Sequence, residues 1–293
     1  MRRWVRILLA TLAPVGAAGA QQGVGDVVYV PTPQVVVDTM LRMANVGPTD
    51  YLIDLGSGDG RVVITAAQRG ARALGVDLDR HLLGMANESA QREGVAARAT
   101  FREQNLFETD LAGATVVTTY LLPEMNLKLR PKILALPPGT RVVAHDYHMG
   151  DWLPDDREVL SVPEKKVGLV GVSYLYLWHV PARVGGRWQG TIPSGAGTAA
   201  LEVDFAQKFQ VLTGQASSVT GRPTRLRAPT IRGDALAFLL EVGATPNPVR
   251  YSFRGRVTGD EVRGTVVVSD PARRQREHTW SATRVAPAPA QAD

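Results

Sequence analysis

Cysteine is absent from the 293 residues, which excludes disulfides, thiolate metal sites and cysteine nucleophiles and is compatible with either redox compartment. Runs of like charge are missing too. The net charge is +5, but the arginines are scattered through both halves of the chain and form no nucleic-acid arm, so the excess reads as a solvated basic surface. Beyond the first twenty residues no apolar run approaches the ~20 residues that a membrane-spanning helix needs. His145 and Asp146 are adjacent potential ligands with no third at useful spacing, so no metal site is expected.

The leading segment has a pattern of its own. Arg2, Arg3 and Arg6 precede an apolar stretch from Ile7 to Val15, followed by the small residues Ala18-Gly19-Ala20. This is the outline of a secretory signal peptide over residues 1–20, cleaved after Ala20, which implies a periplasmic or secreted product. Apolar residues make up 44% and charged residues 21%, values that fit a packed globular protein. The length favours two domains, because single cores seldom grow past roughly 250 residues.

From residue 27 to 181, β-rich runs alternate with amphipathic stretches. Helices are expected at Pro33 to Ala44, Arg61 to Arg69, Arg80 to Glu93 and Glu124 to Leu136. Strands are expected at Tyr51 to Leu55, Ala73 to Asp77, Ala99 to Glu103, Ala114 to Thr119 and Arg141 to His145. Five strands with crossover helices predict a doubly wound, Rossmann-like α/β sheet. Two further runs, Lys166 to Val170 and Val172 to Val180, are linked too closely for a parallel crossover and predict an antiparallel pair closing the sheet. Residues 182–285 carry short alternating runs punctuated by glycine, which predict a smaller all-β domain, barrel or sandwich. Within it, Arg187-Trp188-Gln189-Gly190 and Phe253-Arg254-Gly255 resemble lipocalin-type barrel sequence, with a tryptophan plugging one end. An Ala- and Pro-rich tail, 286–293, is expected to be disordered.

Chemistry concentrates in Tyr51-Leu-Ile-Asp54-Leu-Gly56-Ser57-Gly58-Asp59-Gly60-Arg61, a strand that runs into a glycine turn and then a helix. Glycines at alternate positions let backbone approach a ligand closely. A dinucleotide site spaces its glycines G-x-G-x-x-G, whereas this turn reads G-x-G-x-G behind an acid. Asp54 would repel a pyrophosphate and suits a cation such as the sulfonium and amino groups of S-adenosylmethionine. A nicotinamide oxidoreductase is therefore the weaker enzyme reading. Asp77 ends the second strand, where its carboxylate can accept from both ribose hydroxyls. Asn105 follows the third strand, placed either to bond an adenine edge or to close a turn.

These residues, with Gly75-Val76-Asp77, resemble the class I seven-stranded S-adenosylmethionine methyltransferases. Tyr29-Val30-Pro31-Thr32-Pro33, the glycine turn, and Arg141-Val142-Val143 ahead of Asp151-Trp152 look most like the lysine methyltransferases of the ATP synthase c subunit and their bacterial relatives. The resemblance implies that Tyr29 and Thr32 cover the cofactor and that Asp54, Gly56, Ser57, Gly58 and Gly60 hold its methionine portion. It implies Asp77 at the ribose and Asn105 at the adenine end, though Asn105 stands where an acid is usual. The methyl acceptor would be a protein lysine or a small-molecule amine. Such an amine must lose a proton, for which Tyr120, Glu124 and the Asp146-Tyr147-His148 group are candidates at the sheet's C-terminal edge. Tyr120-Leu121-Leu122-Pro123 lacks the Asn/Asp-Pro-Pro-aromatic motif of base methyltransferases, so a nucleic-acid acceptor is not expected. The alternative is an exported binding protein that keeps the methyltransferase-like pocket without catalysis.

Overall fold

A computed structural model describes residues 29–195, 197–217, 223–243 and 246–287. The leader expected over 1–20 lies outside the described residues, as do 288–293. In chain order the first domain comprises α1 (Gln34–Met43), β1 (Tyr51–Leu55), α2 (Arg61–Gln68), β2 (Arg72–Asp77), α3 (Arg80–Arg92), β3 (Ala99–Glu103), β4 (Val116–Thr119), α4 (Pro123–Leu134), β5 (Arg141–His145), β6 (Asp156–Ser161) and β7 (Val172–His179). The sheet order is β3-β2-β1-β4-β5-β7-β6, with β1 to β5 parallel and β7 antiparallel to both neighbours. Strand order reverses between β1 and β4, so the C-terminal ends of those strands form the crevice where ligands of open α/β sheets collect.

Both faces of this sheet are covered, which is why its strands read as continuous apolar runs. Val36, Val37, Met40 and Leu41 recur at helical spacing on α1 and are all buried with Leu52 and Val143 in one core. The alternate strand residues Ile53, Val76 and Val142 pack against Leu129 and Ile133 of α4 in the other. Asp79 caps α3 by accepting from His81 N at 2.9 Å and Leu82 N at 3.2 Å, a cap worth ~1 kcal/mol.

The antiparallel closure differs from the sequence expectation. Lys166 to Val170 is not a strand but part of the loop joining β6 to β7, and the strand paired with β7 is β6. As an edge strand β6 needs no continuous apolar face, and its exposed Asp156, Arg157 and Ser161 give it no strand signature. The apolar Val167, Leu169 and Val170, by contrast, stay exposed at the loop tip.

The second domain comprises β8 (Gly186–Ser194), β9 (Gly197–Lys208), β10 (Val211–Ser217), β11 (Pro223–Arg225), β12 (Arg227–Arg232), β13 (Ala235–Val242), β14 (Val249–Thr258), β15 (Glu261–Ser269) and β16 (Gln275–Pro287). Neighbours pair antiparallel, and β9 pairs with β10 as well as β8. Eight strands thus close into a barrel with β11 as a short appendage, so the choice between barrel and sandwich falls to the barrel. β16 reaches Pro287, two residues into the segment expected as a tail. Inside, Phe238 stacks on Phe253 at 4.4 Å between centroids and Trp280 meets Phe253 edge-on at 4.9 Å. Trp188 is buried, donates from Nε1 to Val184 O at 2.7 Å, and lies beneath Arg284 at 5.1 Å.

The barrel rests on the first domain through the β9–β10 turn. Phe209, at a φ of 53°, stacks on the buried Trp152 with centroids 6.0 Å apart, and the Arg130 guanidinium lies 5.4 Å from its ring centre. Asp151 bridges Arg130 and Lys208 at 2.5 and 2.8 Å, Arg232 bonds Asp156 at 2.6 Å, and Ala182 N donates to Gly233 O at 2.7 Å.

Close approach of neighbouring strands in the barrel makes Gly264 indispensable. A β-carbon on Gly264 would fall 2.0 Å from Arg254 O and 2.4 Å from Gly255 Cα, backbone atoms that cannot yield without parting β14 from β15. Gly264→Ala should destabilise the barrel by about 3 kcal/mol while leaving the α/β domain folded. Urea unfolding followed by tryptophan fluorescence would then show an early barrel transition; a single unshifted transition would contradict it.

Candidate functional site

The glycine turn is locked at both ends by backbone bonds. Gly56 N and Ser57 N donate to Val76 O at 2.9 and 3.0 Å, and Gly60 N donates to Ser57 O at 2.9 Å. Gly58 N donates to Asp77 Oδ2 at 2.8 Å, while Asp79 N donates to Oδ1 at 3.0 Å. The Asp77 carboxylate is therefore fixed in orientation, and each oxygen retains a second lone-pair direction for a ligand.

Two glycines are steric requirements. At Gly58 (φ +52°) a β-carbon would lie 2.3 Å from Tyr29 Cε2, so the tyrosine ring lies directly on the turn. At Gly60 (φ +80°) it would lie 2.6 Å from the Phe101 ring and 2.7 Å from Ala86 Cβ. Arg61 then ties the chain before α1 to the turn, donating from Nη1 to Thr32 O at 2.7 Å and from Nε to Asp59 at 2.9 Å. Tyr29 and Thr32 are brought over the turn in this way. Burial and the Asp59 charge push the Tyr29 phenol well above the ordinary tyrosine range.

Asp54 is buried at the end of β1 and accepts from Thr118 Oγ1 on β4 at 2.6 Å. Burial raises its pKa to about 7; the Thr118 bond opposes the rise, while the nearby charges of Asp77 and Asp59 add to it. The carboxyl is thus poised to ionise when a cation arrives. Asn105 turns the chain after β3, its Oδ1 accepting from Phe107 N at 3.0 Å and its carbonyl from Glu108 N and Thr109 N. It closes a turn, and its Nδ2 lies 3.5 Å from Glu108 Oε1.

At the other side of the crevice, Tyr120 follows β4 and donates to Asp146 Oδ2 at 3.2 Å. Its ring lies 3.9 Å from that of His145. Burial, then the Asp146 charge, raises the Tyr120 phenol above the ordinary range. His145 is fully buried, shares Nε2 with Ser173 Oγ at 2.9 Å, and is held by burial at a pKa of about 4, hence neutral. Glu124 stands exposed in the first turn of α4 and joins none of these bonds. His148 is an exposed loop histidine whose Nδ1 accepts from Gly150 N at 3.0 Å. Sequence reasoning missed Lys165, whose buried ammonium bonds Asp146, and also Thr118 and Arg61. Lys165 lies in a polar Pro-Glu-Lys-Lys stretch that reads as a solvated loop. Among the described residues no group of three His, Asp or Glu side chains is placed to hold a metal, and none of their helices is long and apolar enough to cross a membrane.

A sheet of order 3-2-1-4-5-7-6, with an acid-preceded glycine turn after its first strand and an acid ending its second, defines a class I methyltransferase. The family model described as the ANTKMT methyltransferase domain matches residues 54–156, from Asp54 to the first residue of β6. The chain is 41% identical over 157 residues to a protein-lysine N-methyltransferase of Saccharolobus islandicus, covering 53% of this chain and 95% of that one. It is 33% identical over 128 residues to the lysine N-methyltransferase of the ATP synthase c subunit from Xenopus laevis, covering 43% of this chain and 56% of the relative. A solved structure described as an RNA methyltransferase of Salinibacter ruber, in complex with S-adenosyl-L-homocysteine, is 46% identical, with 53% of this chain and 96% of that one covered and a TM-score of 0.47. The chain belongs to the family of protein-lysine N-methyltransferases that the archaeal relative represents. It spans just over half the length of the Xenopus relative, and the family model ends before the barrel begins.

The Asp54 environment makes a prediction for stability. With an unfolded value near 3.8 and a folded value of about 7, the carboxyl stabilises the fold fully below pH ~4, and that contribution is lost as pH rises through ~7. Relative to Asp54→Asn, wild type should lose up to about 4 kcal/mol between pH 4 and 8, read from denaturant midpoints. A difference that does not change with pH would show that Asp54 ionises normally.

Proposed function

We propose that the protein transfers a methyl group from S-adenosylmethionine to the side-chain amine of a lysine in a protein acceptor. The observation that carries the reading is the pair Asp54 and Asp77 flanking a glycine turn locked at the crevice of the sheet, in a chain 41% identical to a lysine methyltransferase. The residues fit this cofactor: a carboxyl with a pKa of about 7 can ionise against a sulfonium or ammonium, and an oriented carboxylate at Asp77 accepts from a vicinal diol. When bound, the cofactor supplies an electrophilic methyl on an already activated sulfur leaving group.

The chain's own residues then do three things. Asp54, with Gly56, Ser57, Gly58 and Gly60, receives the methionine portion; Asp77 holds the ribose and the Asn105 amide borders the adenine. Tyr29 and Thr32 cover the turn and exclude water. Tyr120 aligns the incoming amine: its hydroxyl proton is directed to Asp146, so its lone pairs face the crevice and accept from the amine N–H. Alignment supplies most of the acceleration in such a displacement. The amine sheds its proton to solvent at the crevice mouth, where Glu124 stands exposed in the first turn of α4. The leader expected over residues 1–20 adds export to this reading. Fractionation of tagged full-length protein tests that, and an uncleaved cytosolic product rejects it.

Calorimetric titration with S-adenosylmethionine, its demethylated product and NAD tests the cofactor. The first two should bind at micromolar levels, NAD should not, and Asp77→Ala should abolish binding. Because the cation favours ionised Asp54, affinity for S-adenosylmethionine should fall by up to about tenfold per pH unit below 7, with proton release on binding. Binding without transfer to any lysine-bearing protein would favour the non-catalytic alternative, and no binding at all would reject both.

A further inference from the structure

The loop between β6 and β7 returns to the site through the buried side chain of Lys165. Lys165 is 3% exposed at its side chain and Asp146 0%. The Lys165 ammonium bonds Asp146 Oδ2 and donates to Val172 O at 2.7 Å. The same Oδ2 accepts the Tyr120 hydroxyl, and Oδ1 accepts Tyr174 N at 3.1 Å. Asp146 is also held in the left-handed region, at φ 61°, its N donating to Tyr174 O at 2.7 Å. Strain of this kind in a residue other than glycine persists only where its surroundings over-determine it. Burying the ion pair adds a desolvation cost that the pair's own attraction rarely exceeds. A strained and buried carboxylate, held from three sides and turned toward one phenol, is an arrangement for placing that phenol.

We infer that Lys165 is a positioning residue for methyl transfer: its ammonium fixes Asp146 beneath Tyr120, so that the Tyr120 hydroxyl donates downward and presents its lone pairs to the acceptor amine. The inference rests on the reading of Tyr120 proposed above. It also accounts for the loop. The bonds from Val162 N to Gly171 O and from Gly171 N to Lys165 O, at 2.8 and 3.1 Å, close its base. Beyond them Gly168 passes so near the site that a β-carbon there would lie 3.5 Å from Tyr120 Oη and 3.7 Å from Asp146 Oδ2. Lys165 thus anchors the strip of chain that edges the acceptor side of the crevice.

The test is a double-mutant cycle on turnover with a lysine-bearing protein acceptor. Lys165→Met should lower kcat by about 10- to 100-fold, the scale of a 1 Å misplacement, with little change in affinity for S-adenosylhomocysteine. In a Tyr120→Phe background the same substitution should cost nothing further, because its only route to the reaction has gone. A merely structural role would lower kcat equally in both backgrounds, and that result overturns the inference. Lys165→Met leaves a buried carboxylate unpaired, so Lys165→Met/Asp146→Asn, which removes both charges, is carried through the same cycle should the single variant fail to fold. A crystal structure of Lys165→Met bound to S-adenosylhomocysteine decides independently of turnover. The Tyr120 hydroxyl should have moved beyond hydrogen-bond reach of Asp146, and an unmoved hydroxyl overturns the inference. Failure of wild type to methylate any lysine acceptor would count against the proposed function instead, with the crystallographic arm still deciding the place of Lys165.

Discussion

The hydrogen bond from the Gly58 amide to the Asp77 carboxylate joins two strand ends that the sequence separates by a whole helix. It requires β1 and β2 to run parallel in register, and the Tyr29 ring above it requires position 58 to lack a side chain. Once it forms, Asp77 is aimed, the turn is closed, and Tyr29 has a flat surface on which to lie. Asp54 becomes walled off from water, and that isolation displaces its protonation equilibrium. The electrostatics of the site are therefore a consequence of backbone geometry more than of any charge placed there.

A second constraint acts on the segment after β5. It is held from one side by α4, where Asn126 Nδ2 donates to Tyr147 O at 3.1 Å and Arg130 to Met149 O at 2.9 Å. The barrel grips it from the other side through Phe209 on Trp152 and Gln210 on Leu153 O. Asp146 and Tyr147 thus belong to a stretch fixed between two domains. The barrel stiffens this side of the crevice although the family model matches none of it.

Local signals are legible in the sequence, and distant ones are not. The turn from Asp54 to Arg61 carries its conformation in its own glycines, and β1, β3 and β5 span the runs expected of them. Asp77 is visible because it closes a strand of known register. β6 escapes notice because an edge strand can be polar, and Lys166 to Val170 reads as a strand because an exposed loop tip can be apolar. The hydrophobic pattern reports burial only where something exists to be buried against. Lys165 is hidden for the complementary reason: a lysine reads as solvated unless its partner, here nineteen positions earlier in the chain, is known to lie beneath the same loop. Phe209 likewise gains its meaning only from Trp152, which belongs to the other domain.

Closure of the barrel by β8 against β16 sets an order of events on the ribosome. The α/β sheet is complete when β7 has emerged, and it can fold while the remainder is still being made. β8 must wait for β16, so a nascent chain carries one finished domain and a set of strands with an unpaired edge until β16 has emerged. Exposed edges of that kind invite pairing with other chains. Disruption of β16 would leave the α/β sheet standing beside an open barrel with an unpaired edge on β8.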